Sequence, residues 1–264
     1  MSQRPFAVVI LAAGKGTRMN DPSRAKVMFP IGGVPMIHHV VERALQCQPD
    51  RVVAIIGFNR EAVRHYLGEA FQGRVEFAEQ LEQLGTGHAV MQAMPLLNDF
   101  SGDILVLSGD VPLLSYQTIG DLWDVHTVRG ATGTVLTVVA QDPTGYGRVI
   151  RNADGSVSHI VEHRDATEQE RTMKEINSGI YLFDAEGLRA ALANLNNNNA
   201  QNEYYLTDVF GYFRQQGLPI AAHCSSDFEE IQGINTVEQL AQVDEEFRRR
   251  GDGKKENDGK ALAS

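Results

Sequence analysis

A glycine-rich basic loop near the amino terminus is the first place where this sequence could do chemistry. The segment "LAAGKGTRM", residues 11–19, follows a short apolar run over residues 6–10. Glycine lets the backbone approach phosphate oxygens, which backbone N–H groups and an arginine can then bind. The loop lacks the third glycine of a dinucleotide fingerprint and the G-K-[ST] ending of a P-loop. Taken alone, it is equally compatible with a phosphate site and with a tight strand-to-helix turn.

The distribution of charge favours the phosphate site. The whole chain carries a net charge of −10, which argues against a general nucleic-acid binder, because such proteins cluster Lys and Arg. Residues 14–26 have a net charge of +3. Local positive charge in an acidic protein suits an anionic small molecule. The charged residues of this segment are Lys15, Arg18, Asp21, Arg24 and Lys26.

An aspartate at the end of a later apolar run could hold a metal ion. Asp110 closes the sequence "SGD", residues 108–110, and Mg²⁺ favours one or two protein oxygens together with substrate phosphates. The alternative is a turn-capping aspartate. The spacing of the histidines does not match a zinc site, so we interpret them as helix or hydrogen-bonding residues: His38, His39, His88 and His163.

These groups need a scaffold, and the first half of the chain alternates strand and helix signals. The predicted strands are Phe6–Ala12, Arg51–Ile56, Val75–Ala78 and Asp103–Ser108, and the predicted helices are Met36–Gln46, Arg60–Leu67, Gly87–Met94 and Tyr116–Val128. This alternation predicts an α/β fold with a mostly parallel sheet flanked by helices. Ligands of such sheets lie at the carboxyl ends of the strands. The basic loop and Asp110 should therefore open onto one crevice.

The second half is richer in strands and predicts a smaller β-rich insertion. Its predicted strands are Thr132–Ala140, Gly147–Arg151, Val157–Glu162 and Ile180–Asp184, and its predicted helices are Ala185–Leu195, Tyr204–Gln216 and Thr236–Arg249. We expect one domain over residues 1–247, with an α/β core half over about 1–130 and a β-rich half over about 131–235. The polar composition of residues 248–264 predicts a disordered tail.

The expected compartment follows from cysteine usage and hydropathy. Cys47 and Cys224 are far apart in sequence and are interpreted as reduced thiols. No run approaches the roughly 20 apolar residues of a membrane span. We therefore expect a cytoplasmic protein without a membrane partner.

A series of motifs extends these inferences by resemblance. In chain order they are "LAAGKGTRM" (11–19), "KVM" (26–28), "EQLGTGHAV" (82–90), "GDVPLL" (109–114), "GYGRVIR" (145–151), "IVEHRDAT" (160–167), "EINSGIY" (175–181), "NEYYLTDV" (202–209) and "GIN" (233–235). Together they resemble the uridylyltransferase domain of bacterial N-acetylglucosamine-1-phosphate uridylyltransferases over about residues 6–235. That family has a Rossmann-like, glycosyltransferase-A-like fold with a β-rich sugar-binding part. The resemblance implies that the half over about 1–130 binds the nucleotide and that the half over about 131–235 binds the sugar.

The resemblance implies a reaction in which UTP and N-acetylglucosamine 1-phosphate give UDP-N-acetylglucosamine and pyrophosphate. It implies that Arg18 and Lys26 are catalytic and hold the phosphates, and that Asp110 and Asn235 bind Mg²⁺. The implied nucleotide-binding residues are Leu11, Ala12, Ala13, Gly14, Gln80, Gln83, Gly85 and Thr86. The implied sugar-binding residues are Gly147, Glu162, Asn177 and Thr207, with Tyr205 nearby.

The sequence departs from the family pattern in two respects. Ala25 stands where the family usually has proline before the lysine matching Lys26, and the loop before it is one residue longer. Proline restricts its own φ and the residue before it, so the geometry of this lysine is open. The family also usually continues into a β-helix of hexapeptide repeats that forms a trimer. This chain ends at Ser264 without such repeats, so we expect a monomer or weak oligomer.

Two alternatives remain open from sequence. The first is a nucleotidyltransferase for another sugar phosphate, such as glucose or N-acetylgalactosamine 1-phosphate, or for another nucleotide. The second is a non-catalytic sensor of sugar nucleotides. A pure binder would not need groups that serve the leaving group and the metal, so the joint presence of Arg18, Lys26, Asp110 and Asn235 favours an enzyme.

Overall fold

The computed structural model describes residues 4–19 and 21–261, with the side chains of the last helix described as far as Gly251. The strands are β1 Phe6–Ala12, β2 Pro30–Ile31, β3 Val34–Pro35, β4 Arg51–Ile56, β5 Glu76–Glu79, β6 Asp103–Ser108, β7 Gly133–Val139, β8 Arg148–Arg151, β9 Val157–Val161, β10 Glu175–Asp184 and β11 Ile220–Ser225. The helices are α1 Met36–Gln46, α2 Arg60–Phe71, α3 Thr86–Ala93, α4 Tyr116–Arg129, α5 Glu168–Arg171, α6 Ala185–Leu192, α7 Asp208–Gln215, α8 Phe228–Ile231 and α9 Val237–Ala261, with a short 3-10 helix at Lys26–Met28.

Within the described residues, nine of these strands form one sheet. Its main path has the order β11-β7-β10-β6-β1-β4-β5, and β8 and β9 branch off from β10. Strand β1 pairs in parallel with β4 and β6, whereas β10 runs antiparallel to both of its neighbours on the path. Only β10 therefore breaks the common strand direction along the path. This confirms the predicted mostly parallel α/β fold, and the two predicted halves of the chain share this single sheet.

The strands at the centre are buried on both faces. Along β1, Phe6, Val8 and Ile10 contribute to one apolar cluster, and Ala7 and Val9 contribute to the other, as the period of two in a strand requires. Helices α1, α2 and α4 cover the first face, and α3, α6 and α7 cover the second. The packing of helices on both faces leaves the strand ends as the place where loops can form a site.

The predicted limits of β1, β4, β6 and α1 match the structure, whereas the predictions were less accurate toward the carboxyl end. Strand β10 starts at Glu175 instead of Ile180, and α7 starts at Asp208 instead of Tyr204. Strand β11 was not predicted. It pairs only with β7 along the main path and has mostly half-buried side chains, so its sequence "IAAHCS" carries a weak apolar signal.

The predicted start of a disordered tail at residue 248 is wrong, because α9 continues through it. Arg248 forms an ion pair with Asp244 at 2.6 Å, one helical turn earlier. Arg250 reaches Asp227, just before α8, at 3.0 Å. These pairs hold residues 248–250 in the helix against the rest of the protein. The remainder of the predicted tail, residues 252–264, lies outside the residues whose side chains are described.

Two observations bear on the expected compartment. Among the described residues, every helix is either too short or too polar to span a bilayer. Cys47 and Cys224 are both free thiols, and burial raises the pKa of Cys47 to about 11, which keeps it protonated and unreactive. The cytoplasmic location stays a prediction.

Candidate active site

A cavity of about 280 Å³ opens at the carboxyl ends of the parallel strands. The loops after β1, β5 and β6 line it, together with the first turn of α3, as Rossmann-like topology predicts. Nine of the predicted site residues line this cavity: Leu11, Ala13, Gly14, Lys26, Gln80, Gln83, Gly85, Thr86 and Asp110. The structure thus brings the predicted nucleotide and phosphate groups together in one place.

A close approach of β1 and the loop after β6 places Asp110 at the cavity. The Gly109 N–H donates to the Leu11 carbonyl at 2.9 Å. A Cβ on Gly109 would lie 2.7 Å from that same oxygen, so a larger residue would push the loop away from β1. The glycine in "SGD" therefore serves to seat Asp110 beside the basic loop.

Gly16 positions Lys26 from across the basic loop. The loop turns back at this point, and the Met19 N–H donates to the Gly16 carbonyl at 2.9 Å. Gly16 has a φ of +64°, and a Cβ there would lie 2.6 Å from the Cβ of Lys26. Only glycine meets both conditions without strain. The basic loop and Lys26 are thus packed as one unit.

Ala25 reaches the backbone geometry that the family usually obtains from proline. Its φ of −63° is close to the value that a proline ring imposes, and its ψ is 139°. The side chain is fully buried, so packing fixes the residue where a ring does not. Lys26 then begins a short 3-10 helix with the Met28 N–H bonded to the Ala25 carbonyl at 2.9 Å. The departure at Ala25 leaves the placement of the lysine intact.

We expect Gly16→Ala to lower the turnover of the enzyme proposed below by about tenfold to a hundredfold, because the added methyl group displaces Lys26. Nucleotide affinity should change less than turnover, since Gln80, Gln83 and Gly85 line the cavity from another loop. Steady-state rates and UDP titration check both expectations. Gly120→Ala is the control, because a Cβ at this position in α4 meets no atom within 4 Å. A Gly16→Ala variant with the turnover of Gly120→Ala would contradict the packing role.

The Lys26 ammonium lies between two candidate metal ligands. It donates to Asp110 Oδ2 in a short contact and to Asn235 Oδ1 at 3.1 Å. The Lys26 and Asp110 side chains are only 16% and 18% exposed, so solvent screens this ion pair little. The Ile234 N–H donates to the Asp110 carbonyl at 3.1 Å and ties the two segments together. Two side-chain oxygen atoms from distant parts of the chain therefore contact one positive charge.

A capping box at the start of α9 fixes Asn235. The Gln239 side-chain oxygen accepts from the Asn235 N–H at 2.7 Å and from the Thr236 N–H at 3.2 Å. The Gln239 N–H in turn donates to Thr236 Oγ1 at 3.3 Å. This reciprocal pattern stabilises a helix amino terminus. Gln239 was not singled out in the sequence, although T-x-x-Q before a helix is a recognisable signal.

The ligands at this position fit Mg²⁺. A carboxylate and an amide oxygen are hard ligands, and Mg²⁺ typically takes one or two protein oxygens and completes its shell with water and substrate phosphates. The Lys26 ammonium already occupies a cation position between them. Among the described residues, no group of three or more His, Cys, Asp or Glu side chains forms a metal centre, so an all-protein cage is not offered.

The predicted nucleotide-binding residues of the loop 80–85 are held by an internal network. Gln80 is buried, and its side-chain nitrogen donates to the Gly85 carbonyl at 3.0 Å. The Gln83 side-chain nitrogen donates to the Gln80 carbonyl at 3.3 Å. Gly85 has a φ of +103°, and a Cβ there would lie 2.6 Å from the Tyr204 carbonyl. The loop over residues 80–85 is therefore preorganised by its own side chains.

The predicted sugar-binding residues converge in the second half. Thr207 Oγ1 donates to Glu162 Oε1 at 3.3 Å. A Cβ on Gly147 would lie 3.4 Å from Glu162 Oε2 and 3.5 Å from the Cβ of Asn177, so these three positions surround one space. Burial raises the pKa of Glu162, and the hydrogen bond from Thr207 opposes that shift. The cluster offers carboxylate and hydroxyl groups of the kind that bind sugar hydroxyls.

An irregularity in β10 connects this cluster to the cavity. The register of β10 against β7 shifts between Asn177 and Tyr181, and the Asn177 amide bridges the irregular segment. It donates to the Tyr181 hydroxyl at 2.7 Å and accepts from the Gly179 N–H at 3.1 Å. Ser108 Oγ, at the end of β6, donates to the Gly179 carbonyl at 3.1 Å. Such bulges commonly re-aim side chains next to active sites.

The segment 203–207 joins the nucleotide and sugar sides. The Leu206 N–H donates to Thr86 Oγ1 at 3.1 Å, and the Gly87 N–H donates to the Tyr204 carbonyl at 2.8 Å. Tyr205 is buried, and its hydroxyl donates to Asp165 at 3.1 Å. Thr207 reaches Glu162, as described above. One short segment therefore sets the distance between the two ends of the site.

Several predicted residues lie away from the cavity lining. Arg18 is exposed and makes no hydrogen bond or ion pair with the described residues. The side chain of Ala12 is buried in the core, so only its backbone can face a nucleotide. The lining also includes residues that were not predicted: Val27, Ala89, Ser108 and Glu203. Ser108 and Glu203 lie inside quoted motifs, but nothing in their type distinguished them from their neighbours.

Comparison with known proteins identifies the family. The sequence profile described as "Nucleotidyl transferase" matches residues 7–229, which covers most of the chain and all of the cavity lining. The chain belongs to the nucleotidyl transferase family. The match includes the loop 11–19 and Asp110, the two features that first pointed to phosphate chemistry.

Curated members of this family agree with the predicted resemblance. Relatives named "Bifunctional protein GlmU" are 47% identical over 242 residues in a Geobacillus species, 45% over 242 residues in Enterococcus faecalis and 46% over 245 residues in Bacillus subtilis. These alignments cover 92–93% of this chain and 52% of each relative. The chain therefore spans about half the length of the curated relatives it matches.

Solved structures support the fold. A protein from Bacillus anthracis described as a glucose-1-phosphate thymidylyltransferase aligns with a TM-score of 0.66 at 22% identity, covering 90% of this chain and 94% of its own. A UDP-glucose pyrophosphorylase bound to UDP-glucose aligns with a TM-score of 0.75 at 16% identity, covering 93% and 99%. At these identities the likeness shows a shared fold, and the sugar and nucleotide must be argued from this chain.

Proposed function

We propose that this protein is a Mg²⁺-dependent uridylyltransferase that makes UDP-N-acetylglucosamine and pyrophosphate from UTP and N-acetylglucosamine 1-phosphate. One observation carries the proposal. The Lys26 ammonium, which lines the cavity together with Gln80, contacts both Asp110 and Asn235, and the segment that carries Thr207 and its partner Glu162 is joined to the cavity by the Leu206–Thr86 hydrogen bond. This arrangement suits two phosphorylated substrates that must meet at one phosphorus.

The chemistry needs positioning and charge neutralisation more than acid–base catalysis. The nucleophile is a phosphate oxygen of the sugar phosphate, which is already anionic at neutral pH, so a general base is not required. In-line attack on the α-phosphorus of UTP releases pyrophosphate. Lys26 stabilises the charge that develops around that phosphorus. Bound by Asp110 and Asn235, Mg²⁺ would supply further neutralisation of the phosphate oxygens. Arg18, exposed and unpaired with the described residues, is available for the pyrophosphate.

The sugar side supports a hydroxyl-rich substrate. Glu162 and Thr207 already share a hydrogen bond, and a sugar hydroxyl can join or replace it. Asn177 uses both ends of its amide within the β10 irregularity, and its backbone N–H donates to the Gly147 carbonyl at 3.0 Å, so its role in the proposed sugar site is to position Gly147 and the surrounding backbone. The choice of N-acetylglucosamine rests on the resemblance of the motifs over residues 145–181. We further propose that the protein acts in the cytoplasm as a monomer or weak oligomer.

Pyrophosphate release from matched substrate pairs tests the proposal. UTP, dTTP, CTP, ATP and GTP are each combined with N-acetylglucosamine, N-acetylgalactosamine and glucose 1-phosphates, with Mg²⁺ or with EDTA. We expect release to be dominated by UTP with N-acetylglucosamine 1-phosphate and to stop in EDTA. A different preferred pair would keep the reaction type and replace the substrate. Binding of UDP-sugars without release from any pair would favour the sensor.

A further inference from the structure

The side-chain amide of Gln80 is held in one orientation. Gln80 is only 4% exposed, and its nitrogen lies 3.0 Å from the Gly85 carbonyl and 3.1 Å from Nδ1 of His88. A backbone carbonyl can only accept a hydrogen bond, so the nitrogen of the amide must be the atom that faces it. Both N–H groups of Gln80 are then used inside the protein. The amide oxygen is the group left to meet a ligand in the cavity, and it can only accept.

His88 completes this arrangement from outside the cavity. It lies in the first turn of α3, and its ring packs near Tyr204 with centroids 6.4 Å apart. Because Gln80 donates to Nδ1, the ring proton must be on Nε2. The side-chain nitrogen of Gln92 donates to the backbone carbonyl of His88 at 3.1 Å, so its approach to Nε2 at 3.2 Å is a contact between two N–H groups and not a hydrogen bond that holds the ring. His88 is not among the cavity-lining residues, so it acts through Gln80.

We propose that His88 determines base specificity by positioning Gln80, so that the site takes a pyrimidine with a ring N–H and rejects cytosine. Uracil and thymine carry a hydrogen on N3, which the fixed Gln80 oxygen accepts. Cytosine presents a lone pair at N3, and two acceptors would face each other there. Sites built around a fixed hydrogen bond reject the mismatched analogue strongly, because a buried polar group is left unpaired. This inference rests on the uridylyltransferase proposed above.

Equilibrium binding of UDP and CDP tests the role of His88 without depending on turnover. Isothermal titration gives the ratio of the CDP and UDP dissociation constants for the wild type and for three variants. His88→Leu removes one of the two acceptors that hold the Gln80 nitrogen and leaves only the Gly85 carbonyl, so we expect the preference for UDP to fall about tenfold, the equivalent of one hydrogen bond. His88→Asn keeps an acceptor at the same branch point and should keep most of the preference. Gln92→Leu is the control and should leave the ratio within about twofold, well below one hydrogen bond.

The ratio separates positioning from a structural role. A merely structural histidine would weaken UDP and CDP binding equally, and the ratio would not move. His88→Leu with the wild-type ratio, or His88→Asn with the ratio of His88→Leu, would overturn the inference and leave the proposed function standing. A wild-type protein that binds UDP no better than CDP would overturn both. Thermal unfolding of each variant checks that the fold is retained, and His88→Asn provides the test if the leucine variant does not fold.

Discussion

Lys26→Met should reduce pyrophosphate release by on the order of a hundred- to a thousandfold, the usual cost of losing one preorganised charge-stabilising group. Its ammonium is the positive charge closest to Asp110 and Asn235 at the cavity. Methionine keeps most of the side-chain length and apolar contact but cannot neutralise phosphate. UDP affinity should change much less, because Gln80, Gln83 and Gly85 lie elsewhere on the cavity wall. Steady-state rates and UDP titration on the same samples check this expectation.

Lys174→Met is the matched control, because it removes the same charge from an exposed position. It should retain wild-type turnover. An equal loss of turnover in both variants would show that the effect comes from the net charge of the protein and not from the position of Lys26. A Lys26→Met variant with the wild-type rate would remove Lys26 from the mechanism.

The same substitution should have the opposite effect on metal binding. In the nucleotide-free protein, the Lys26 ammonium and a divalent cation would share Asp110 Oδ2 and Asn235 Oδ1. Removing a unit charge from such a half-buried position strengthens cation binding. Mn²⁺ titration followed by electron paramagnetic resonance should therefore give tighter binding to Lys26→Met than to wild type. Weaker or unchanged binding would contradict the shared position.

Asp110→Asn should raise the Mg²⁺ concentration needed for half-maximal turnover by at least about tenfold, since even outer-sphere partners of a metal are worth this much. The substitution keeps the size of the side chain and removes its negative charge. It also frees the Lys26 ammonium from its ion pair. The measurement is turnover against Mg²⁺ concentration at saturating substrate.

Asp124→Asn, at an exposed position of α4, is the control for charge and should follow the wild-type Mg²⁺ curve. If the turnover of Asp110→Asn also followed the wild-type dependence on Mg²⁺ concentration, Asp110 would not be a metal ligand. If Asp110→Asn lost activity with no shift in the Mg²⁺ requirement, the carboxylate would serve mainly to position Lys26.

The fold was most predictable where one signal dominated. Strands β1, β4 and β6 are continuous apolar runs, and their limits follow from the sequence. Strand β10 was predicted only from Ile180 onward, because its first part, Glu175–Gly179, is polar and includes the irregularity that carries Asn177. In this segment the proposed sugar site and regular pairing compete, so local patterning could not define the strand.

The site was predictable in outline and less so in its contacts. Because ligands of parallel sheets lie at the carboxyl ends of the strands, the sequence predicted that the basic loop and Asp110 lie together. The resemblance predicted that the loop 80–86 binds the nucleotide. Neither could reveal that the Lys26 ammonium bridges Asp110 and Asn235, because that contact joins positions 26, 110 and 235 across the fold. The role of Gln239 and the orientation of the Gln80 amide likewise depend on three-dimensional hydrogen bonding, which residue spacing does not encode.

The order of the bridging residues along the chain matters for protein synthesis. Lys26 and Asp110 lie in the part made first, whereas Asn235 precedes α9 and is held by Gln239. Chains emerge from the ribosome amino terminus first. A nascent chain can therefore expose Lys26 and Asp110 long before it has Asn235, whose side-chain oxygen is the second one to contact the Lys26 ammonium. The cation position is assembled only when synthesis has passed the first turn of α9, so, under the function proposed above, unfinished chains lack a complete site for transfer from a bound nucleotide.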